Sequence, residues 1–217
     1  TEEEDSSSTP TNFKLFCKNF EIINAEISYN DNRIGTNDEI FNSGNIKING
    51  FNLEVSDFMY YPDSIELNLK KLAFTEYSGI DINEISGHLK YCDTAISVSN
   101  FAIRTKNSEF RCSLIEAKGN DSDYLSDPLN KMKVELNIDT LIFDVADIGS
   151  FIPTYKRLHD KLHLSGNFKG KLSNFKFKNF NISYGQNTRM TANLSVDGLP
   201  DYDMTFIFGD VSHFTTS

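Results

Sequence analysis

Apolar and polar residues alternate along most of the chain, the signature of strands with one sheltered face. Within that alternation one device recurs: apolar, any, apolar, two polar or small residues, then apolar, any, apolar. It reads Leu15 and Cys17, then Phe20 and Ile22; Ile46 and Ile48, then Phe51 and Leu53; Leu67 and Leu69, then Leu72 and Phe74. It returns as Ile96 and Val98, then Phe101 and Ile103; Leu136 and Ile138, then Leu141 and Phe143; Phe175 and Phe177, then Phe180 and Ile182. The echo between "KNFEIIN" from Lys18 and "KNFNISY" from Lys178 is a pair of such copies.

Side chains on a strand change face at every residue. A two-residue skip therefore either moves the apolar set to the other face or is absorbed by a bulge that restores it. The second skipped positions are Asn19, Gly50, Lys71, Asn100, Thr140 and Asn179. Gly and Asn tolerate the backbone angles of a bulge or kink. Each such strand is predicted to bend at the same height. The predicted fold is mainly β: a long, bent antiparallel sheet forming an open apolar gutter.

The copies recur at roughly 20 to 40 residues, one per two to four strands rather than one per solenoid rung. "SGHLKY" from Ser86 and "SGNFKG" from Ser165 add to the impression of repetition. Turn signals separate the strands at "YND" (with Asn32), "YPDS" (from Tyr61), "YCDT" (from Tyr91), "TKNS" (from Thr105) and "YGQNT" (from Tyr184). Two stretches break the alternation. Residues 118–131 read as an exposed polar loop. Residues 144–160 read as a short helical plug, Asp144 capping a helix through Phe151 and Pro153 ending it. The expected organisation is an acidic, Ser-rich linker at 1–12, a single repetitive β domain over 13–209, and a tail at 210–217 leading out of a piece of a longer protein.

Composition sharpens this. There are 18 Phe and 9 Tyr but only seven Ala and one Gln, while Asn numbers 23. Aromatic and β-branched residues suit strands, and Asn suits turns. The formal net charge is −10; an acidic surface repels phosphate backbones, so no nucleic-acid partner is expected. Cys17, Cys92 and Cys112 fit neither a disulfide framework nor a zinc spacing and read as small buried thiols, with Cys92 and Cys112 a conceivable pair if their strands are neighbours.

Several of these stretches, in this order, resemble the AsmA-like proteins of the TamB type in the form found in Bacteroidetes. They are "IINAEISYNDN" (from Ile22), "YYPDSIELNLKKLAFTEYSGIDINEISG" (from Tyr60), "FAIRTKNSEF" (from Phe101), "DVADIGSFIP" (from Asp144), "LSGNFKGKLSNFKFKNFNISYG" (from Leu164) and "NTRMTANLSVDGLPD" (from Asn187). The resemblance implies a periplasmic segment of an envelope protein anchored in the inner membrane. It also implies a role in phospholipid transport between inner and outer membranes, or in outer-membrane assembly. Expected partners are phospholipid acyl chains, adjacent segments of the same longer chain and an outer-membrane barrel protein.

The candidate lining of the groove is Ile48, Phe51, Leu69, Leu72, Val98, Phe101, Ile138, Leu141, Phe177 and Phe180. The plain alternative for these positions is a closed core. The alternative function is a non-conducting spacer that pairs through its edge strands. No enzyme is expected, and no cofactor or metal. His159 and His163 have the spacing of two ligands on a helix, but no Glu follows the first, and a strand pattern begins at Lys161. Asp121 and Asp123 lie in a polar loop and read as solvated. Asn-x-Ser sequons begin at Asn120, Asn181 and Asn193 and carry no meaning in a bacterial host.

Overall fold

The computed structural model describes residues 13–31, 33, 41–157 and 160–216; the predicted linker at 1–12, together with Asn32 and His159, lies outside them. Eleven strands form one antiparallel sheet: β1 (Leu15–Asn30), β2 (Asn45–Tyr61), β3 (Ser64–Glu76), β4 (Asp81–Cys92), β5 (Ala95–Thr105), β6 (Glu109–Lys118), β7 (Lys133–Asp144), β8 (Lys161–Lys171), β9 (Asn174–Tyr184), β10 (Thr188–Asp197) and β11 (Phe206–Thr215). Spatial order follows chain order from β1 to β11, and the sheet does not close into a barrel. The stretch expected to be a tail from residue 210 instead continues β11 to Thr215.

Every copy of the skipped pattern falls on a strand, and in five of the six the skip is a bulge. Gly50–Phe51 on β2 oppose Phe74, Lys70–Lys71 on β3 oppose Ser86, and Asn100–Phe101 on β5 oppose Gly87. Asp139–Thr140 on β7 oppose Ser165, and Asn179–Phe180 on β9 oppose Gly166. The exception is β1, where the register runs unshifted past Lys18 and Asn19 and the bulge falls at Ile23–Asn24. Gly50, Asn100 and Asn179 take left-handed backbone angles, as do Asn24 and Asp57, whereas Asn19, Lys71 and Thr140 do not.

A bulge orphans backbone polar groups, and here asparagine side chains satisfy them. The Asn52 amide donates to the Gly50 carbonyl at 2.7 Å, while its oxygen accepts the Asn24 N–H at 3.1 Å. Asn193 accepts the Asn179 N–H at 2.9 Å, and Asn181 donates to the Asn179 carbonyl at 2.9 Å. At the second bulge of β2 the Asp57 carboxylate accepts from Ser56 and Asn68 at 2.9 and 3.2 Å.

The bend turns the apolar face inward. Residues three apart on a straight strand point to opposite faces, yet the rings of Phe177 and Phe180, flanking the β9 bulge, lie 4.7 Å apart. Both therefore project on one side and converge.

The insertion after β7 is helical, but it forms two 3-10 turns, Val145–Ser150 and Pro153–Arg157, so Pro153 opens a second turn rather than only ending the first. Asp144 caps the first turn by accepting the Ala146 N–H at 2.9 Å. Asp147 then accepts from Thr105 at 2.6 Å and Asn107 at 2.7 Å, so the insertion leans over the β5–β6 turn. Phe151 reaches Phe41, just before β2, with ring centroids 5.4 Å apart. In a flat sheet β2 and β7 stand about 24 Å apart, so this contact bridges one end of the sheet.

At the opposite end, residues 119–131 form a 3-10 turn and a single helical turn. The expectation of an exposed loop fails at Tyr124, which is 1% exposed. Gly119 makes room for it, because a Cβ there would lie 2.1 Å from the Tyr124 Cβ.

Candidate apolar groove

Cross-strand pairing assembles the apolar positions into continuous rows. One row crosses the whole sheet: Ile22, Leu53, Leu72, Ile85, Ile103, Phe110, Leu141, Leu164, Ile182, Met190 and Phe214, each paired with the next. On the other arm of the bend a second row runs Leu67, Leu89, Val98, Ile115, Leu136, Phe168, Phe177 and Leu194. Between them the crease alternates large and small residues: Phe101 pairs with Cys112, Cys112 with Ile138, Ile138 with Gly166, and Phe180 with Ala192. Small residues at the crease let the converging rings of its neighbours fit. Cys112 and Ala192 are the most enclosed crease residues, each 1% exposed.

The structure brings the ten predicted groove residues onto this one face. Leu69, Phe101, Ile138 and Phe180 lie in the crease, Leu72 and Leu141 in the first row, and Val98 and Phe177 in the second. Phe51 and Ile48 continue the face toward the Phe41 end; Phe51 stacks on Phe74 at 6.5 Å, and Ile48 pairs with Glu76. All ten are half-buried. The pattern also missed a polar residue on this face, the buried Glu76, whose carboxylate accepts the Ser78 N–H at 2.8 Å.

Among the described residues, only Cys112, Tyr124, Ala192 and Val196 are buried apolar side chains. The accessible surface is 14515 Å², where a compact monomer of 24.6 kDa exposes about 10,000 Å². A closed core is not what these rows form. They line a single-layer sheet whose apolar side remains half-open.

The opposite face is polar and laced with ion pairs, among them Glu54–Lys70 at 3.4 Å, Glu66–Lys90 at 3.1 Å and Glu135–Lys169 at 2.7 Å. It carries shallow polar recesses; the one between β7 and β11 is lined by Asp139, His163, Arg189 and His213 among others. Among the described residues no cluster of His, Cys, Asp and Glu could hold a metal ion, and no helix is long and apolar enough to cross a membrane.

The three cysteines are free. Cys92 and Cys112 stand on β4 and β6 with β5 between them, so their strands are not neighbours. Cys112 alone is buried; burial pushes its thiol above the ordinary range, and Sγ donates to the Leu114 carbonyl at 3.0 Å. Cys17 and Cys92 are only half-buried, short of the enclosure expected for all three.

The two edges are bare. All ten residues of β11 are exposed, and Phe16, Phe20 and Ile23 on β1 are exposed as well.

Fold and groove together define a class: an open, bent β gutter with an apolar interior and a polar exterior. No protein family, curated protein or solved structure matches this chain. The TamB-type resemblance rests on the order of the short stretches quoted above.

Proposed function

We propose that this chain is a periplasmic segment of an AsmA/TamB-like envelope protein, anchored elsewhere in the inner membrane, that holds phospholipid acyl chains along its apolar groove. In this reading it serves phospholipid transport between the inner and outer membranes or outer-membrane assembly. The observation that carries the reading is the apolar row that crosses all eleven strands without one buried member. Each methylene laid against such a surface gains about 0.8 kcal/mol, so acyl chains are held with few polar contacts.

The test is native mass spectrometry of the purified chain, followed by solvent extraction and lipid analysis. Near-stoichiometric phospholipid is expected. Phe101→Glu should lose that lipid while keeping its circular dichroism, because the half-buried position lets a carboxylate reach water. A lipid-free wild-type chain refutes the reading.

A second reading is a non-conducting spacer that pairs through its edges with adjacent segments or an outer-membrane barrel protein. The exposed β11 and β1 favour it, since an unpaired edge is a template for strand addition. Its mark is concentration-dependent self-association by sedimentation velocity, with no bound lipid.

A further inference from the structure

Lysines collect at the end of the sheet covered by residues 119–131. Lys118 on β6, Lys133 on β7 and Lys171 on β8 stand directly opposite one another in register, and Lys131 precedes β7. Like charges in directly opposed positions destabilise a sheet, and this chain carries 31 acidic against 21 basic residues, so counter-charges are plentiful. Lys118 has one in Glu116 at 2.8 Å, and Lys131 has one in Asp123. Lys133 and Lys171 have none among the described residues.

Both line a recess of about 420 Å³ with Lys131, Asn120, Asn130 and Asp121. Asp121 is turned to its own backbone, accepting the Asp123 N–H at 3.1 Å, and Asn130 donates to Asp127 at 3.0 Å. The Asn120 amide makes no hydrogen bond among the described residues. Two unpaired ammonium groups and a free amide thus converge on one concavity. One residue along each strand, Ala117, Val134 and Gly170 belong to an apolar row of the groove face, so the lysines stand on the polar face at the very end of the sheet, with the groove just over its rim.

We infer that this recess is an anion site for a phosphate group, with Lys133 and Lys171 supplying the charge and Asn120 a neutral donor. The phosphate is either free or the headgroup of a lipid whose chains pass over the end of the sheet into the groove on its other face; the second source rests on the lipid reading above. Charge-assisted hydrogen bonds are the contacts that fit such a ligand.

The test titrates the whole chain with inorganic phosphate, followed by phosphorus NMR, and separately with monomeric dihexanoyl phosphatidylglycerol, followed by calorimetry. Each is repeated on Lys133→Gln/Lys171→Gln, whose fold is checked by circular dichroism. Weak phosphate binding that falls about tenfold or more in the double variant supports the site. So does a fall of that size in lipid affinity alone, which assigns the anion to a lipid headgroup. Phosphate binding without lipid binding keeps the site and refutes the groove reading. Phosphate binding and lipid affinity both unchanged by the double variant overturn the site, and the retained lipid leaves the groove standing. If wild type binds neither probe, both fail.

Discussion

Gly166→Ala tests the bend itself. Gly166 has a φ of +144°, and an added Cβ would lie 3.0 Å from the Asn179 carbonyl oxygen, 3.1 Å from that of Lys178 and 3.2 Å from the Phe180 Cα. All three atoms are backbone of the β9 bulge, so the methyl group can be housed only by opening the bulge. A side chain in this glycine-favouring conformation and an overpacked contact each cost about 1–3 kcal/mol. The control is Gly185→Ala, where φ is +60° and no heavy atom lies within 4 Å of the added Cβ; only the left-handed penalty of about 1 kcal/mol applies. Urea unfolding followed by circular dichroism, with matched slopes, should place Gly166→Ala about 2 kcal/mol below Gly185→Ala. Equal losses in the two variants would falsify the close fit of Gly166 against the β9 bulge, because the methyl at residue 166 would then have found open space.

Three further outcomes follow from individual side chains. Iodoacetamide should label Cys17 and Cys92 in the folded chain and reach Cys112 only when urea opens the sheet, because its thiol is buried and harder to ionise; prompt labelling of all three contradicts the crease. Tyr124→Phe removes a buried hydroxyl that has no hydrogen-bond partner among the described residues, so stability should hold or rise; a loss of about 1 kcal/mol or more in urea unfolding would reveal a partner. The Asp57 carboxyl is held below its ordinary range, first by the Ser56 hydroxyl and then by the Asn68 amide. Its contribution is therefore present above the usual carboxylate range and lost as pH falls through the lower folded-state value. Asp57→Asn, which also tolerates the left-handed angle, should flatten the acid side of the stability profile, and an unchanged acid limb refutes the bonding.

The bent, open sheet was legible in the sequence because its signal is periodic. A skip of two in an alternating run has few structural meanings, and in β2, β3, β5, β7 and β9 it means a bulge. The placement in β1 failed for a physical reason. Its register with β2 is carried unshifted past Asn19, and the extra residue is taken up at Ile23–Asn24, where Asn52 is at hand to accept the Asn24 N–H. Asparagine was read as a turn former and, at the skips, as a bulge residue, which Asn100 and Asn179 are; its use as a left-handed residue at Asn24 and as a clamp at Asn52 and Asn193 was not read. Nothing in the one-dimensional pattern marks the clamps, because Asn52 and Asn193 reach the Asn24 and Asn179 N–H groups on a neighbouring strand. The same limit hid Tyr124, which is enclosed by a glycine five residues earlier, and the lysine row, whose members are separated by long stretches of chain and meet only through register.

The half-open apolar face is what the lipid reading rests on. A sheet with one apolar face ordinarily hides it beneath a second layer, and among the described residues this chain has eleven strands in one layer with its other elements at the two ends. The bend is a partial remedy: it lets Phe177 and Phe180 meet each other and lowers the exposure of both rows. It does not complete the burial, because no member of the row that crosses the sheet is buried. The apolar area left over is continuous along the sheet, oriented inward and bounded by a polar exterior. In the proposed reading a flexible hydrocarbon chain follows such a surface without a matching set of side chains, and the ~0.8 kcal/mol per methylene is gained by the sheet and the chain together. On that reading loading stabilises the protein as well as holding the ligand, so the urea midpoint of the lipid-loaded chain should exceed that of the delipidated chain, and equal midpoints would count against it.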